Sequence, residues 1–191
     1  MKTSFFYITI LFTTFAYPQP LIKRPLSVSN LFSDHIVLER NAKVDFWGCA
    51  APGQKLTIST GWGNRISTVT NADGTWKIKL RTPMAGRPYY IYIMTSEDHI
   101  ELKDVLIGEV WLASGQSNMD IPLKGWPPGD TIQNSAREIS KADYPEIRYF
   151  KVPFSMSIVP LGSTDGKWLS ITLETAGNFS AHLLLKRTRF F

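Results

Sequence analysis

Two serines close together carry the strongest chemical signal in this chain. They lie in Ala113-Ser114-Gly115-Gln116-Ser117-Asn118-Met119-Asp120, just past the apolar run Val105 to Ala113, which Gly108 and Glu109 interrupt. A serine hydroxyl attacks an acyl carbon only when a base takes its proton and nearby donors stabilise the oxyanion that forms. Ser117, at the loop tip, precedes a segment that can turn helical from Met119, with Pro122 tolerated in the first turn. Its backbone N–H, with the unpaired N–H groups of a helix start, would then face the developing charge. Ser114 ends the apolar run and reads as a structural hydroxyl bonded to the loop. Gln116 and Asn118 would shape the loop through side-chain to backbone bonds. The motif is not the Gly-x-Ser-x-Gly elbow, because Met119 stands where the second glycine would be. On residue types alone the stretch reads equally well as a strand followed by an ordinary polar turn.

The base is harder to find. His35 and His99 fall in the N-terminal half and read as loop histidines, and His182 sits at the edge of a divergent tail. One cysteine, Cys49, excludes an intrachain disulfide; in Phe46-Trp47-Gly48-Cys49-Ala50 it reads as a small buried hydrophobe. One cysteine and three scattered histidines give no metal-ligand spacing, and nothing calls for a cofactor.

The elements that must position Ser117 follow from hydrophobic patterning. Val105 to Ala113 is an apolar run bounded by turn formers, the pattern of a buried parallel strand. Open α/β sheets place their ligands just beyond the C-terminal ends of such strands. Residues 26 to 104 read instead as all-β, with short strands near 37–38, 44–47, 55–59, 66–70, 76–80 and 89–93. Turn signals separate them about every ten residues, as in a β-sandwich. Asp73-Gly74 between two of them predicts a hairpin. Trp76, Ile78 and Leu80 share one face and Lys77 and Lys79 the other, so the lysines are expected in solvent. Tyr89, Tyr90 and Tyr92 read as cross-strand packing before they read as a sugar site. Further on, Thr131 to Lys141 predicts a short helix and Ile147 to Val152 a strand.

Composition narrows the classes. With 43% hydrophobic and 13% aromatic residues, the chain can bury a core and is not disordered by composition. The formal net charge of +5 is concentrated at the ends. Without Lys2, Lys186, Arg187 and Arg189, 17 basic residues face 16 acidic ones, so no nucleic-acid footprint is expected. Lys2 and the apolar run Phe5 to Ala16, with Thr14 and Ala16 as small residues before a cleavage point, fit a secretory signal over residues 1–20. About 20 apolar residues are needed to span a membrane, and Pro18 and Pro20 arrive too soon. A secreted or periplasmic protein with no membrane attachment after cleavage is therefore expected, with an uncleaved membrane anchor as the alternative.

The string Gly108-Glu-Val-Trp-Leu-Ala-Ser-Gly-Gln-Ser-Asn-Met119 resembles the nucleophile block of the sialate O-acetylesterase family, a branch of the SGNH hydrolases. The resemblance extends through Leu31-Phe32-Ser33-Asp34, Val37 to Arg40, Phe46-Trp47-Gly48, Pro52-Gly53 and Asp73-Gly74-Thr75-Trp76. It continues downstream to Asp165-Gly166-Lys167-Trp168 and Asn178-Phe179-Ser180-Ala181, so it covers about residues 26 to 181. It implies an all-β sandwich (26–104) followed by the start of a flavodoxin-like α/β SGNH-hydrolase domain (105–181), truncated, with an atypical tail (182–191). It implies a serine carbohydrate O-acetylesterase acting on O-acetylated sugars without a cofactor, and it assigns the nucleophile to Ser117. The glycine and asparagine that complete the family's oxyanion hole, and its Asp-x-x-His pair, have no counterpart here, so the chain is expected to be an incomplete and inactive fragment. The ending His182 to Phe191 replaces an expected helix and reads as a frame shift or truncated gene model, with a genuine short variant as the alternative. The rival function is a non-catalytic glycan- or partner-binding sandwich, motivated by Trp47, Trp62, Trp76 and Tyr89.

Overall fold

The computed structural model describes residues 24–181 apart from 127 and 130; the expected signal segment, the tail 182–191 and His182 lie outside the described residues. The protein is mostly β-sheet with few helices. Eight strands make up its first half: β1 (Ser27–Val28), β2 (Val37–Glu39), β3 (Lys43–Cys49), β4 (Lys55–Thr60), β5 (Arg65–Val69), β6 (Thr75–Arg81), β7 (Gly86–Met94) and β8 (His99–Gly108). They form a three-stranded sheet in the order β1-β3-β6 and a five-stranded sheet in the order β2-β8-β7-β4-β5. Only the β2–β8 pairing is parallel.

Period-two alternation builds this region. Phe46 on β3 and Trp76, Ile78 and Leu80 on β6 point inward from the smaller sheet. Leu56 and Ile58 on β4, Ile91 and Ile93 on β7, and Leu102, Val105 and Ile107 on β8 meet them from the larger one in a single buried cluster. Outward on β6, Lys77 and Lys79 pair with Asp45 across the β3–β6 ladder at 2.9 and 3.0 Å. The lysines are thus solvent-facing, as the alternation predicts.

The expected hairpin at Asp73-Gly74 is not one. The turn is present: Gly74 has φ +79°, and Asp73 Oδ1 accepts from the Thr75 N–H and hydroxyl at 2.9 and 2.7 Å. A Cβ at residue 74 would lie 2.8 Å from the Ala50 carbonyl oxygen, so glycine is required twice over. However, β5 pairs with β4 and β6 with β3, so the turn carries the chain from one sheet to the other.

The strand expected over Val105 to Ala113 is also redrawn. Its first four residues are the end of β8, held between β7 and β2. The β2 pairing ends at Glu39↔Gly108, and the Arg40 N–H caps the Gly108 carbonyl before the chain turns at Asn41, φ +53°. With that neighbour gone, Glu109 to Ala113 belongs to no strand, and Trp111 and Leu112 are 80% and 94% exposed.

The second half has a short helix α1 (Ser117–Asp120), a second α2 (Ser135–Ile139), strands β9 (Tyr144–Phe150) and β10 (Trp168–Ile171), and a 3-10 turn at Ala176–Asn178. The helix predicted over 131–141 thus shrinks to five residues. The strand predicted at 147–152 begins earlier and pairs antiparallel with β10 rather than joining a parallel sheet. A small core of Ala142, Ile171, Ala176 and Phe179 lies under Tyr144, Ile147 and Tyr149. Among the described residues no helix is long and apolar enough to cross a membrane.

Candidate functional site

Ser117 is the first residue of α1 and is exposed. Gln116 precedes it at φ −96°, ψ −146°, and its carbonyl accepts the Met119 N–H at 2.9 Å; the Ser117 carbonyl accepts from Ile121 at 3.0 Å. The helix therefore starts two residues earlier than the sequence predicts. It stops after one turn because Ile121 precedes Pro122 and is pushed to extended backbone, φ −60°, ψ 117°. One turn aligns few peptide dipoles, so the helix-start stabilisation expected for an oxyanion is small here. A Cβ at Gly115 would sit 2.5 Å from Met119 Cγ, so this glycine lets the methionine fold back over the loop.

Three sets of contacts fix the loop. Upstream, Glu109 accepts from Arg40 Nε at 2.6 Å, joining the strand end to the β2 exit. Alongside, Asp120 pairs with Lys151 at 2.7 Å. Downstream, Leu123 and Lys124 donate backbone N–H groups to Phe179 and Gly177, and Ala181 donates to Ile121. These bonds bring Asn178-Phe179-Ser180-Ala181 beside the serine loop.

Among the described residues no base lies at Ser117. Among the described residues nothing hydrogen-bonds to its hydroxyl. His99 opens β8, at the opposite end from Gly108, and His35 is engaged elsewhere. Ser114 and Gln116 are exposed loop residues.

A polar junction that the sequence does not signal ties the two halves together. Asp104 interrupts β8 as a bulge with φ +53°, a backbone position Asp tolerates better than most residues. Its Oδ2 lies 2.6 Å from His35 Nδ1 and 2.8 Å from Arg148 Nη2, and Arg148 Nη1 donates to its carbonyl. The Arg148 side chain is only 5% exposed. Burial pushes the Asp104 carboxyl up, but the hydrogen bonds from His35 and Arg148 outweigh that and hold it below the usual carboxylate range. Trp168 Nε1 donates to the Leu31 carbonyl (2.8 Å) and Trp47 Nε1 to that of Gly162 (2.6 Å) across the same junction. These partners lie far apart in sequence, and only the αL preference of Asp104 was a local clue.

The aromatics that motivate a glycan-binding module are mostly occupied by the fold. Trp76 is buried, Trp47 meets Phe32 edge-on at 4.6 Å, and Trp62 meets Tyr89 at 5.4 Å while donating to the Arg81 carbonyl.

No family model matches the chain. The rat sialate O-acetylesterase is 28% identical over 161 residues, covering 78% of this chain and 29% of that protein. The human sialate O-acetylesterase is 27% identical over 163 residues, again 78% of this chain and 30% of the relative. The crystal structure of a carbohydrate acetylesterase from Xanthomonas citri superposes with a TM-score of 0.74 at 32% identity, over 81% of this chain and 34% of that one. The chain thus spans less than a third of the length of the curated relatives it matches. A match over 81% of the chain is more than the two-sheet half alone could supply.

Proposed function

From the premise that the chain belongs to the sialate O-acetylesterase family, we propose that it contributes the nucleophile of a carbohydrate O-acetylesterase. Ser117 attacks the acetyl carbonyl of an O-acetylated sugar and a base takes its proton. The tetrahedral intermediate collapses, and the sugar hydroxyl leaves with a proton returned to it. Water then hydrolyses the acetyl-serine to acetate and free enzyme. In this reading the first half is a β-sandwich and residues 105–181 are part of an SGNH-type α/β domain. The product is exported by the signal at residues 1–20 to a secreted or periplasmic location. The observation that carries the reading is the 32% identity and 0.74 TM-score with a carbohydrate acetylesterase, over a span larger than the two-sheet half.

The described residues leave Ser117 without a base, so the 191-residue chain by itself should not hydrolyse acetyl esters. The test is a chimera in which this sequence replaces the matched segment of the Xanthomonas citri carbohydrate acetylesterase. Deacetylation that falls about 10³-fold or more with Ser117→Ala, and far less with Ser114→Ala, supports the assignment. An active Ser117→Ala chimera removes Ser117 from the chemistry.

A further inference from the structure

We propose that the outer face of the five-stranded sheet is a shelf that binds an acidic sugar, separate from Ser117. The choice of an acidic sugar rests on the family reading above. On this face Tyr90 and Tyr92 rise from β7, their ring centroids 4.9 Å apart. Beside them β4 and β5 present short hydroxyl side chains, Ser59, Thr57 and Ser67, with Arg65 at the edge, while Lys55 and Val69 share the face at the other end of the same two strands. The register sets these in line: Arg65 is opposite Ser59, Ser59 opposite Tyr92, and Tyr92 opposite Glu101. Neighbouring strands lie about 4.8 Å apart, so the floor between the tyrosine wall and the arginine is roughly 10 Å wide, the breadth of one pyranose ring with its substituents.

Each part suits one feature of such a ligand. Tyr90 is 47% exposed and offers a ring against which the C–H face of a sugar can pack. Thr57 and Ser67 hydroxyls lie 2.9 Å apart and can share hydrogen bonds with sugar hydroxyls. Arg65 makes no ion pair among the described residues, and its planar fork matches a carboxylate. Glu101, the acidic residue opposite Tyr92, accepts from the Tyr92 hydroxyl at 2.6 Å and pairs with Lys103 at 3.4 Å, which offsets part of its charge. Edge-strand protection accounts for a charge at Arg65. It does not account for a tyrosine wall above a hydroxyl floor two strands wide.

The experiment is an NMR titration of the 191-residue chain with the methyl glycoside of N-acetylneuraminic acid, and with methyl galactoside as the neutral probe. The shelf predicts saturable shifts on β4, β5 and β7 with the acidic glycoside only. Tyr90→Ala and Arg65→Ala, both at exposed positions, should each weaken binding about tenfold, the size of one lost stacking or ion-pair contact. Ser117→Ala should leave binding unchanged. No saturable shift, shifts confined to other surfaces, equal binding of the neutral glycoside, or wild-type binding by both variants would overturn the proposal. The chimera test of Ser117 reads hydrolysis, so failure of the shelf and failure of the esterase reading are separate results.

Discussion

The two halves of this protein solve the burial problem differently. Residues 24–108 enclose sixteen buried hydrophobic side chains between two sheets, from Leu26 to Ile107. Residues 109–181 centre on four, and leave Val110, Leu112, Val152, Phe154, Met156, Ile158 and Leu161 about half or more exposed. Strand alternation closes the first region on itself, because the inward side chains of both sheets meet in one buried cluster. The apolar runs of the second region have no facing layer among the described residues. Exposed apolar surface on that scale marks a face that other protein normally covers. The halves are joined by the Arg148–Asp104–His35 junction, by the two tryptophan N–H donors and by Trp168 packing against the core of the first half.

The largest expected effect of this difference is in local stability. Residues 151–163 are exposed throughout and lie outside the strands. Brief digestion with a broad-specificity protease should cut there first and remove much of 109–181, including Ser117, while a fragment near 24–108 resists. Mass spectrometry of the fragments reads the outcome directly. Protection through residue 181 would mean that the second half is held as firmly as the first.

Side-chain truncation should separate the halves next. Trp76 is 2% exposed and stacks near Phe46 at 6.0 Å, so Trp76→Ala should cost about 3–5 kcal/mol in thermal or denaturant unfolding. Leu112 is 94% exposed, and Leu112→Ala should change stability by less than about 0.5 kcal/mol. Comparable losses from the two would place Leu112 in a packed environment.

The same contrast explains what could be read from the residues alone. The strands between Val37 and Met94 were legible because their apolar positions alternate and turn formers punctuate them. The Asp73-Gly74 signal gave the turn but not the partner, since turn chemistry is local and strand pairing is not. Val105 to Ala113 misled because hydrophobicity specifies burial without naming the neighbour. The run is split at Gly108-Glu109, an interruption visible in the sequence, but the cause, the end of the β2 pairing, is not local. Ser117 was legible as a loop-tip serine just before a helical turn, although the turn begins at Ser117 itself rather than at Met119. The junction around Arg148 was not, because its three residues are brought together only by the pairing of distant elements.

The junction gives the third prediction. Arg148→Ala removes the guanidinium that holds both the carboxylate and the carbonyl of Asp104. Because Asp104 is about a third exposed, water takes up part of the loss, and the cost should be about 1–3 kcal/mol. It should appear as faster proteolysis of 109–181 and little change in the melting of residues 24–108. An equal loss in both would mean that the halves unfold as one unit.

The smallest effect is the dependence of the junction on pH. The Asp104 carboxyl is held below the usual carboxylate range, so the unfolded chain binds more protons than the folded one as the solution acidifies. Its contribution is complete above the ordinary carboxylate value, near about 4, and is lost as the pH falls through the lower folded value. Protease cleavage within 151–163, corrected for enzyme activity against an unstructured peptide, should therefore rise between pH 5 and pH 3. Asp104→Asn is the control, because asparagine tolerates the φ +53° backbone as aspartate does and keeps a hydrogen-bonding oxygen without the titrating charge. The variant should be cleaved faster than the parent at pH 6 and show a flatter response to acid. An acid response of the parent's full size in Asp104→Asn would transfer the effect to other carboxylates, with Asp45 first in line, since the Lys77 and Lys79 hydrogen bonds hold it below its usual range within the two-sheet half.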